Sequence, residues 1–212
     1  KRMSIILVTG GLGYIGSHTS VCLIKNGYDI LIIDSLKNSS EDTLMKIKKT
    51  LEKLSPISQN LGRLFFRKGD IRDTKWLDNI FNEFQKKNEK ISSVIHFAGL
   101  KSVEESTKKP IKYWKENLEI TTSLISIMKK YRCHKIVFSS SAMVYKPQEH
   151  KKVKENTQLT PINPYGNSKL AIENFLKDIH KYESPEWRIA NLRYFNPVGA
   201  NEFGILGENP KG

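Results

Sequence analysis

The sequence contains no long hydrophobic run. Its apolar stretches, such as residues 5–8 and 30–33, have the length of a β-strand and fall far short of the ~20 residues that cross a bilayer. Residues 1–4 supply none of the parts of a signal peptide, because two glycines interrupt the first apolar run. We therefore expect a chain that does not span a membrane and that works in the cytoplasm.

Cysteine is almost absent as well. Cys22 and Cys133 are the only two, and they form neither a CxxC pair nor a metal-binding spacing. We expect both to be small buried residues of a reduced protein, without a disulfide. Histidines and carboxylates show no ligand spacing either, so we expect no metal. His96 lies in an apolar run, which favours packing in the core over catalysis.

Negative charge is scarce relative to positive charge. The 212 residues include 35 Lys and Arg against 22 Asp and Glu, a formal net charge of +13. This balance suits partners that carry phosphate, whether nucleic acid, anionic lipid or nucleotides. The lysines are nevertheless scattered, as on solvated helix faces, and the aromatic and glycine pattern of an RNA-binding sheet is missing. We expect no nucleic-acid partner and no membrane partner.

The chain does show a regular alternation of two patterns. Apolar runs typical of strands occupy residues 5–8, 29–33, 64–67, 93–97, 135–139 and 189–194. Stretches with helical spacing occupy residues 16–25, 76–84, 111–128 and 168–182. This order predicts an α/β fold of the Rossmann type, a doubly wound parallel sheet with helices on both faces. Residues 198–212 are rich in glycine without periodicity, so we assign 1–197 to the domain and 198–212 to a loop.

Three glycines, Gly10, Gly13 and Gly16, lie between the first predicted strand and the first predicted helix. Glycine at these positions permits a tight turn, close helix packing and the approach of a pyrophosphate to free N–H groups. Asp34 ends the second strand, where its carboxylate can accept both ribose hydroxyls and would repel a 2′-phosphate. The motif therefore predicts a dinucleotide site that takes NAD in preference to NADP.

A second motif places a phenol and an ammonium together. Tyr165 and Lys169 are four residues apart and share a helix face. Tyr131 and Lys135 have the same spacing by chance, but they run from a predicted helix end into a strand. Ser141 follows the fifth strand, at the edge where such sheets bind ligands. Tyrosine titrates near ~10, and a close lysine with a positive nicotinamide ring favours its phenolate, which makes Tyr165 a usable base.

Taken together, these motifs resemble the extended short-chain dehydrogenase/reductase superfamily and, within it, the UDP-glucose 4-epimerase (NAD-dependent epimerase/dehydratase) family. The Gly-x-x-Gly-x-x-Gly spacing carries the first likeness. The second rests on residues 94–101, 137–145, 164–169 and 192–200. The resemblance covers the whole chain and implies an isomerase of galactose metabolism that interconverts UDP-glucose and UDP-galactose, uses NAD and forms a homodimer.

The resemblance also implies roles for single residues. Tyr165 would take the proton of the sugar 4-hydroxyl, Ser141 would hydrogen-bond the same oxygen, and Lys169 would hold the ribose and lower the tyrosine pKa. Asn196 would contact the UDP-hexose. The residues implied to contact NAD are Gly10, Gly13, Tyr14, Ile15, Gly16, Asp34, Ser35, Asn38, Ser39, Asp70, Ile71, Phe97, Ala98, Gly99, Lys101, Asn117 and Phe195.

Two alternatives stay open. Relatives continue into a smaller C-terminal substrate domain, of which this chain would hold only residues 198–212, so the chain is a candidate for a truncated, non-catalytic NAD-binding fragment. The other alternative is a sister nucleotide-sugar epimerase or dehydratase. Dehydratases place an acid beside the active-site serine or threonine, whereas Ala142 and Met143 follow Ser141 here. Lys146 stands where the family commonly has glycine, a change beside the sugar position.

Overall fold

The computed structural model describes residues 3–55, 60–148 and 152–208. Within these ranges six parallel strands form one sheet, in the order β3-β2-β1-β4-β5-β6. The strands are β1 (Met3–Thr9), β2 (Asp29–Asp34), β3 (Leu64–Lys68), β4 (Glu89–His96), β5 (Lys135–Ser141) and β6 (Arg188–Tyr194). The helices are α1 (Tyr14–Lys25), α2 (Glu41–Leu54), α3 (Thr74–Lys86), α4 (Val103–Lys108), α5 (Pro110–Lys130) and α6 (Pro164–Asp178).

The central strands are apolar because helices cover both of their faces. Successive side chains of a strand point to opposite faces, so Leu7 and Val8 contribute to different layers. Leu7 belongs to the cluster under α3, α5 and α6, whose largest buried residues include Phe84 and Phe138. Val8 belongs to the cluster under α1 and α2, together with Ile24. The core therefore has two halves, one on each side of the sheet.

Strand order reverses beside β1. Thr9, at the end of β1, is level with Ile33 of β2 on one side and with His96 of β4 on the other. The connections after β1 and β4 leave the sheet to opposite faces and open a crevice at the carboxyl ends of the strands. Open α/β sheets bind their ligands at this place.

The predicted fold class, a doubly wound parallel sheet with helices on both faces, is confirmed. All six predicted strands are present, with ends that differ by a few residues; β4 begins at Glu89 rather than at residue 93. Helix α6 ends at Asp178 and continues as one turn of π-helix over Ile179–Glu183. Helices α2 and α4 were not predicted, because four lysines interrupt the apolar spacing of the first and the second has only six residues.

The predicted burial of Cys22 is wrong. Its side chain lies on the exposed face of α1, where Asn26 Nδ2 contacts the sulfur at 3.8 Å, whereas Cys133 is buried as expected. Position 22 falls between Val21 and Ile24, which face the core, so the helical turn carries it outward. Burial raises the pKa of Cys133 to about 11.

Strands β3 and β6 are the two edge strands of the sheet in the described residues. No strand of the described residues pairs with the outer side of β6, and Leu192 on that strand is exposed. Beyond it, Phe195 is 63% and Val198 89% exposed. Residues 199–208 then fold back onto the domain, while residues 209–212 of the predicted loop lie outside the described residues. No described helix has the length and hydropathy of a membrane span.

Candidate active site

The glycine-rich turn is shaped by contacts that exclude side chains. Gly10 has a φ of +64°, and a Cβ there would lie 2.7 Å from the backbone nitrogen of Ala98. Gly13 caps α1 without a side-chain hydrogen bond, and the only described atom near its Cβ position is Gly10 O at 3.3 Å. The first turn of α1, from Tyr14 through Ile15 and Gly16, therefore presents free N–H groups. This open cradle fits the pyrophosphate of a dinucleotide.

Asp34 is fixed at the end of β2 by three donors. Its Oδ1 accepts hydrogen bonds from Leu36 N at 3.0 Å and from Ser39 Oγ at 2.7 Å. Its Oδ2 accepts one, from Leu12 N at 3.0 Å. Because each carboxylate oxygen has two lone pairs, Oδ2 can accept one more donor, as a ribose hydroxyl would require. Ser35 and the exposed Asn38 lie in the same loop.

Asp70 lies beyond β3, in a loop that Gly69 ties to β2 through its N–H on Asp34 O at 3.0 Å. Arg72 donates to both carboxylate oxygens, through Nε at 3.0 Å and Nη2 at 2.7 Å, and Lys37 Nζ adds a third side-chain contact at 3.1 Å. These donors hold the pKa of Asp70 well below its usual range. Ile71 beside it is buried. The predicted role of Asp70 toward adenine stays a prediction.

Asn117 of α5 connects the turn after β4 to α6. Its Oδ1 accepts from Leu100 N at 2.8 Å, and its Nδ2 donates to Ser168 Oγ at 3.1 Å. Ser168 Oγ in turn donates to Tyr165 O at 2.8 Å. The side chain therefore fixes the turn of Phe97, Ala98 and Gly99 against the helix that carries Tyr165 and Lys169. Lys101 at the end of this turn is exposed.

Ser141 and Tyr165 meet because α6 begins directly against the turn after β5. Asn163 caps the helix through Oδ1, which accepts from Gly166 N at 2.8 Å. A Cβ on Gly166 would overlap the carbonyl oxygen of Met143, so glycine allows this close contact. Burial raises the pKa of Tyr165, and a hydrogen bond with Ser141 acts in the opposite direction. The lowering of this pKa by Lys169 and the nicotinamide ring stays a prediction.

Lys169 lies under the site rather than at its surface. It is 5% exposed, and its Nζ donates to Ser139 O at 2.8 Å. The same Nζ lies 4.8 Å from the ring centroid of Phe138. Burial lowers the pKa of Lys169 to about 8. The charged form of Lys169 would supply a positive potential beneath the phenol of Tyr165.

The structure brings the predicted residues to one edge of the sheet. Ser141 is level with Tyr194 in the β5–β6 pairing, and Phe195 and Asn196 follow Tyr194 in the chain, beyond the same ends of the strands. Both of those side chains are exposed. Tyr131 and Lys135, which have the same four-residue spacing by chance, do not share a helix face. Tyr131 caps the end of α5, and the exposed Lys135 begins β5, at the end of the strand far from Ser141.

Two groups of this site were not predicted as part of it. One is Tyr113 of α5, which packs edge-on against Tyr165 with ring centroids 6.5 Å apart. His96 is the other group. Its Nδ1 contacts Thr9 Oγ1 at 2.7 Å and its Nε2 contacts Thr121 Oγ1 at 3.1 Å, so it joins β1 to α5 beneath the crevice. Its predicted packing in the core is confirmed.

These features define a class: a short-chain dehydrogenase/reductase scaffold with a dinucleotide cradle and a serine, tyrosine and lysine at one edge. The comparisons with known proteins agree with it. A family model described as the NAD dependent epimerase/dehydratase family matches residues 6–208, and the chain belongs to this family. The predicted resemblance is confirmed at this level, and the family description agrees with the predicted cofactor.

The relatives carry more specific names. UDP-glucose 4-epimerase 2 of Arabidopsis thaliana is 44% identical over 98% of this chain and 56% of its own length. UDP-glucose 4-epimerase of Bacillus subtilis is 46% identical over 98% of this chain and 57% of its own. The crystal structure of UDP-glucose 4-epimerase from Bifidobacterium longum, in complex with NAD+ and UDP, superposes with a TM-score of 0.87 at 43% identity and covers 98% of this chain and 58% of that one. The chain therefore spans little more than half the length of these proteins.

Proposed function

We propose that this chain forms the NAD-binding and catalytic part of a nucleotide-sugar 4-epimerase that interconverts UDP-glucose and UDP-galactose. One observation carries the proposal: Ser141, Tyr165 and Lys169 converge beside a crevice whose glycine-rich turn can hold a pyrophosphate. The relatives described above support the choice of substrate, since their names specify a UDP-hexose and position 4 of the sugar.

NAD is the proposed cofactor. The N–H groups at the start of α1 would hold its pyrophosphate, and Asp34 Oδ2 would accept a ribose hydroxyl. Held by these groups, NAD would supply reversible acceptance of the hydride from the sugar C4. A cation in place of Asp34 would instead favour the 2′-phosphate of NADP.

The chain's own residues would move the proton. The Tyr165 oxygen would take the proton of the sugar 4-hydroxyl and return it after the sugar turns over. Ser141 would hydrogen-bond the same sugar oxygen, which holds it within reach of the phenol. Lys169 would favour the phenolate through its charge, because a positive group near a phenol stabilises the ionised form. Asn196, exposed two residues beyond Tyr194, which is level with Ser141, would contact the sugar nucleotide.

A second outcome for the isolated chain is supported by its length and its surface. The chain covers 56% of the Arabidopsis thaliana relative, and Phe195 and Asn196 are exposed rather than enclosed. A chain with these properties can bind NAD and still fail to hold a UDP-hexose for turnover. Dehydration is not favoured, because Ala142 and Met143 place no acid beside Ser141.

Two measurements on the purified chain test the proposal in sequence. Binding of NADH, followed by tryptophan-sensitised nicotinamide fluorescence, should be stronger than binding of NADPH. Conversion of UDP-galactose to UDP-glucose should then depend on Tyr165. Preferred binding of NADH without conversion would support the non-catalytic alternative, and equal or absent binding of both dinucleotides would contradict the NAD site.

Assembly and location complete the proposal. We propose a homodimer in the cytoplasm, with α5 and α6 at the interface, because Ile111 is 82% exposed and Trp114 is half-exposed on α5. An isolated exposed residue is ordinary, but two aromatic or branched residues one helical turn apart suit a packed interface. Light scattering tests this point, and a monomer at micromolar concentration would contradict it.

A further inference from the structure

Residues 199–208, which we call the strap, form a small hairpin after β6. Ala200 and Gly207 pair as an antiparallel bridge, and Asn201 N donates to Leu206 O at 3.0 Å. The Asn201 side chain closes the turn, because its Oδ1 accepts from both Ile205 N and Leu206 N at 2.8 Å. One side-chain oxygen thus holds two backbone N–H groups of the turn, in addition to the backbone hydrogen bond of Gly204 N to Asn201 O at 2.9 Å. The strap is therefore a loop with a defined shape.

The strap is anchored on the layer of α1 and α2. Leu206 is 2% exposed and belongs to the same buried cluster as Val8 and Leu12. Phe203 packs against this cluster, and Lys53 Nζ of α2 lies 5.6 Å from its ring centroid. Leu12 is itself part of the glycine-rich turn, so the apolar anchor of the strap lies next to the cradle for the pyrophosphate.

The two ends of the strap contact opposite sides of the crevice. At one end, Tyr14 Oη donates to Gly199 O at 2.7 Å, and Tyr14 is the first residue of α1. At the other end, Lys101 Nζ lies 3.9 Å from Glu208 Oε1, and Lys101 follows the turn after β4. The turns after β1 and β4 face each other, since Gly10 packs on the backbone of Ala98. The strap therefore crosses from one wall of the proposed dinucleotide site to the other.

We infer that the strap is a further part of the dinucleotide site and slows the release of NAD, with Asn201 and Leu206 as its positioning residues. A dinucleotide in the crevice would leave past Tyr14 or past Lys101. The strap contacts both residues, Tyr14 through a hydrogen bond and Lys101 through an exposed ion pair. The inference rests on the proposed function only in its choice of cofactor. An epimerase that returns its hydride to the sugar needs no exchange of NAD between turnovers, so slow release costs the reaction nothing.

The release rate of NADH tests this inference without any sugar substrate. The chain is loaded with NADH, an excess of NAD is added, and the loss of sensitised nicotinamide fluorescence gives the rate constant. Asn201→Ala should release NADH roughly tenfold faster or more, the size expected when one or two net hydrogen bonds are lost. Leu206→Ala should act in the same direction. Val198→Ala is the matched control, because Val198 precedes the strap and is 89% exposed.

A conservative variant separates positioning from general stability. Asn201→Ser keeps a side-chain oxygen that can accept from Ile205 N and Leu206 N, and it puts no charge where Asn201 Nδ2 lies buried without a hydrogen-bond partner among the described residues. It should release NADH within about twofold of the wild-type rate. The melting temperature of each variant without dinucleotide is recorded beside the rate. A purely structural role would lower that temperature and leave the release rate unchanged.

The outcomes are distinct. If folded Asn201→Ala and Leu206→Ala released NADH at the wild-type rate, the inferred role of the strap would be overturned, whereas the proposed NAD site would not be affected. Equal acceleration in Val198→Ala would overturn it as well. Failure of the wild-type chain to bind NADH would contradict the proposed function and the strap together.

Discussion

Lys169 Nζ lies 5.8 Å from the ring centroid of Tyr165, one turn away on the buried face of α6. The helix spacing fixes this relation, and the contact of α6 with the turn after β5 places both groups at the crevice. The same burial that aims the ammonium at the phenol makes its charge costly. The charge that would favour the Tyr165 phenolate therefore lowers the stability of the folded chain.

Lys169→Met should stabilise the chain at pH 7. Burial lowers the pKa of Lys169 from 10.5 to about 8, so its charged form is disfavoured in the folded state by ~3 kcal/mol. Loss of the bond to Ser139 O offsets part of this, which leaves an expected gain of about 1–2 kcal/mol in the free energy of unfolding. Urea unfolding measures it.

The pH dependence of that gain gives the control. Between pH 8 and 10.5 the unfolded wild-type chain binds more protons than the folded chain, so wild-type stability rises with pH. The advantage of Lys169→Met should shrink over this range. Lys177→Met, on the exposed side of the same helix, should show a small and constant difference. If the stability difference between Lys169→Met and the wild type grew as the pH rose, the lowered pKa of Lys169 would be contradicted.

Tyr165→Phe should abolish proton transfer and leave the cofactor site intact. The substitution removes one oxygen, while the cradle at Gly13 and the acid at Asp34 are untouched. Turnover of UDP-galactose should fall by at least 10²-fold, the usual contribution of a general base. The dissociation constant for NADH should change by less than about threefold. A variant that loses NADH binding, and regains normal turnover when NAD is added in excess, would contradict the role of the phenol.

Asp34→Ala should weaken NADH binding and narrow the preference over NADPH. The carboxylate has capacity for a ribose hydroxyl, and its charge repels a 2′-phosphate. A charge-assisted bond contributes about 1.5–3 kcal/mol, so the dissociation constant for NADH should rise by about tenfold or more. Titration of both dinucleotides measures the ratio. Because Asp34 also holds Leu36 N and Ser39 Oγ, the melting temperature must be compared with that of Ser39→Ala.

His96→Gln should flatten the acid side of the stability curve. Burial first, and then the charge of Lys169, lower the pKa of His96 to about 3. Between pH 6.5 and 3 the unfolded wild-type chain binds the extra proton, so wild-type stability falls as the pH falls. At pH 7 the free energy of unfolding of the variant should be about 1–3 kcal/mol lower, because the glutamine cannot reproduce both hydrogen bonds of His96 with Thr9 and Thr121. Urea unfolding at pH 7 and 5 should show a smaller acid loss in the variant.

Glu173→Gln should destabilise the chain strongly. Arg193 donates to Glu173 through Nε at 2.9 Å and Nη2 at 2.6 Å, and Ser140 Oγ contacts the same carboxylate at 2.5 Å. Removing one partner of a buried ion pair costs about 3–5 kcal/mol. The double variant with Arg193→Met should cost less than the sum of the two changes. The exposed pair of Glu104 and Lys108 is the control, with a coupling below about 1 kcal/mol.

Periodicity and motif spacing predicted the sheet, most helices and the residues at its carboxyl edge. Strands, helices and short motifs are formed by residues close together in the sequence, so the spacing of residue types along the chain predicts them. Helix α2 carried such a signal in Leu44, Ile47 and Leu51, spaced three and four residues apart, but the lysines between them hid it. The spacing of Val21 and Ile24 along α1 also indicates that Cys22 faces outward, although we expected it to be buried.

Contacts between distant side chains were beyond the sequence. The link from Asn117 to Ser168 joins residues 51 positions apart, and the strap reaches Tyr14 from 185 positions away. No spacing rule relates such pairs, because they depend on how helices pack on the sheet. The same holds for the pKa of Lys169, which follows from burial and not from the identity of its neighbours along α6.

The outer side of β6, which no strand of the described residues pairs, should affect how the chain behaves in solution. Unpaired backbone groups next to the exposed Leu192 and Phe195 are a template for pairing with a second molecule. A net charge of +13 keeps molecules apart as long as that charge is felt across the gap between them. At 1 M salt the Debye length falls to about 3 Å and the repulsion is lost. High-salt purification steps should therefore promote aggregation, and dilute, low-salt buffers should preserve the monodisperse material that each measurement above requires.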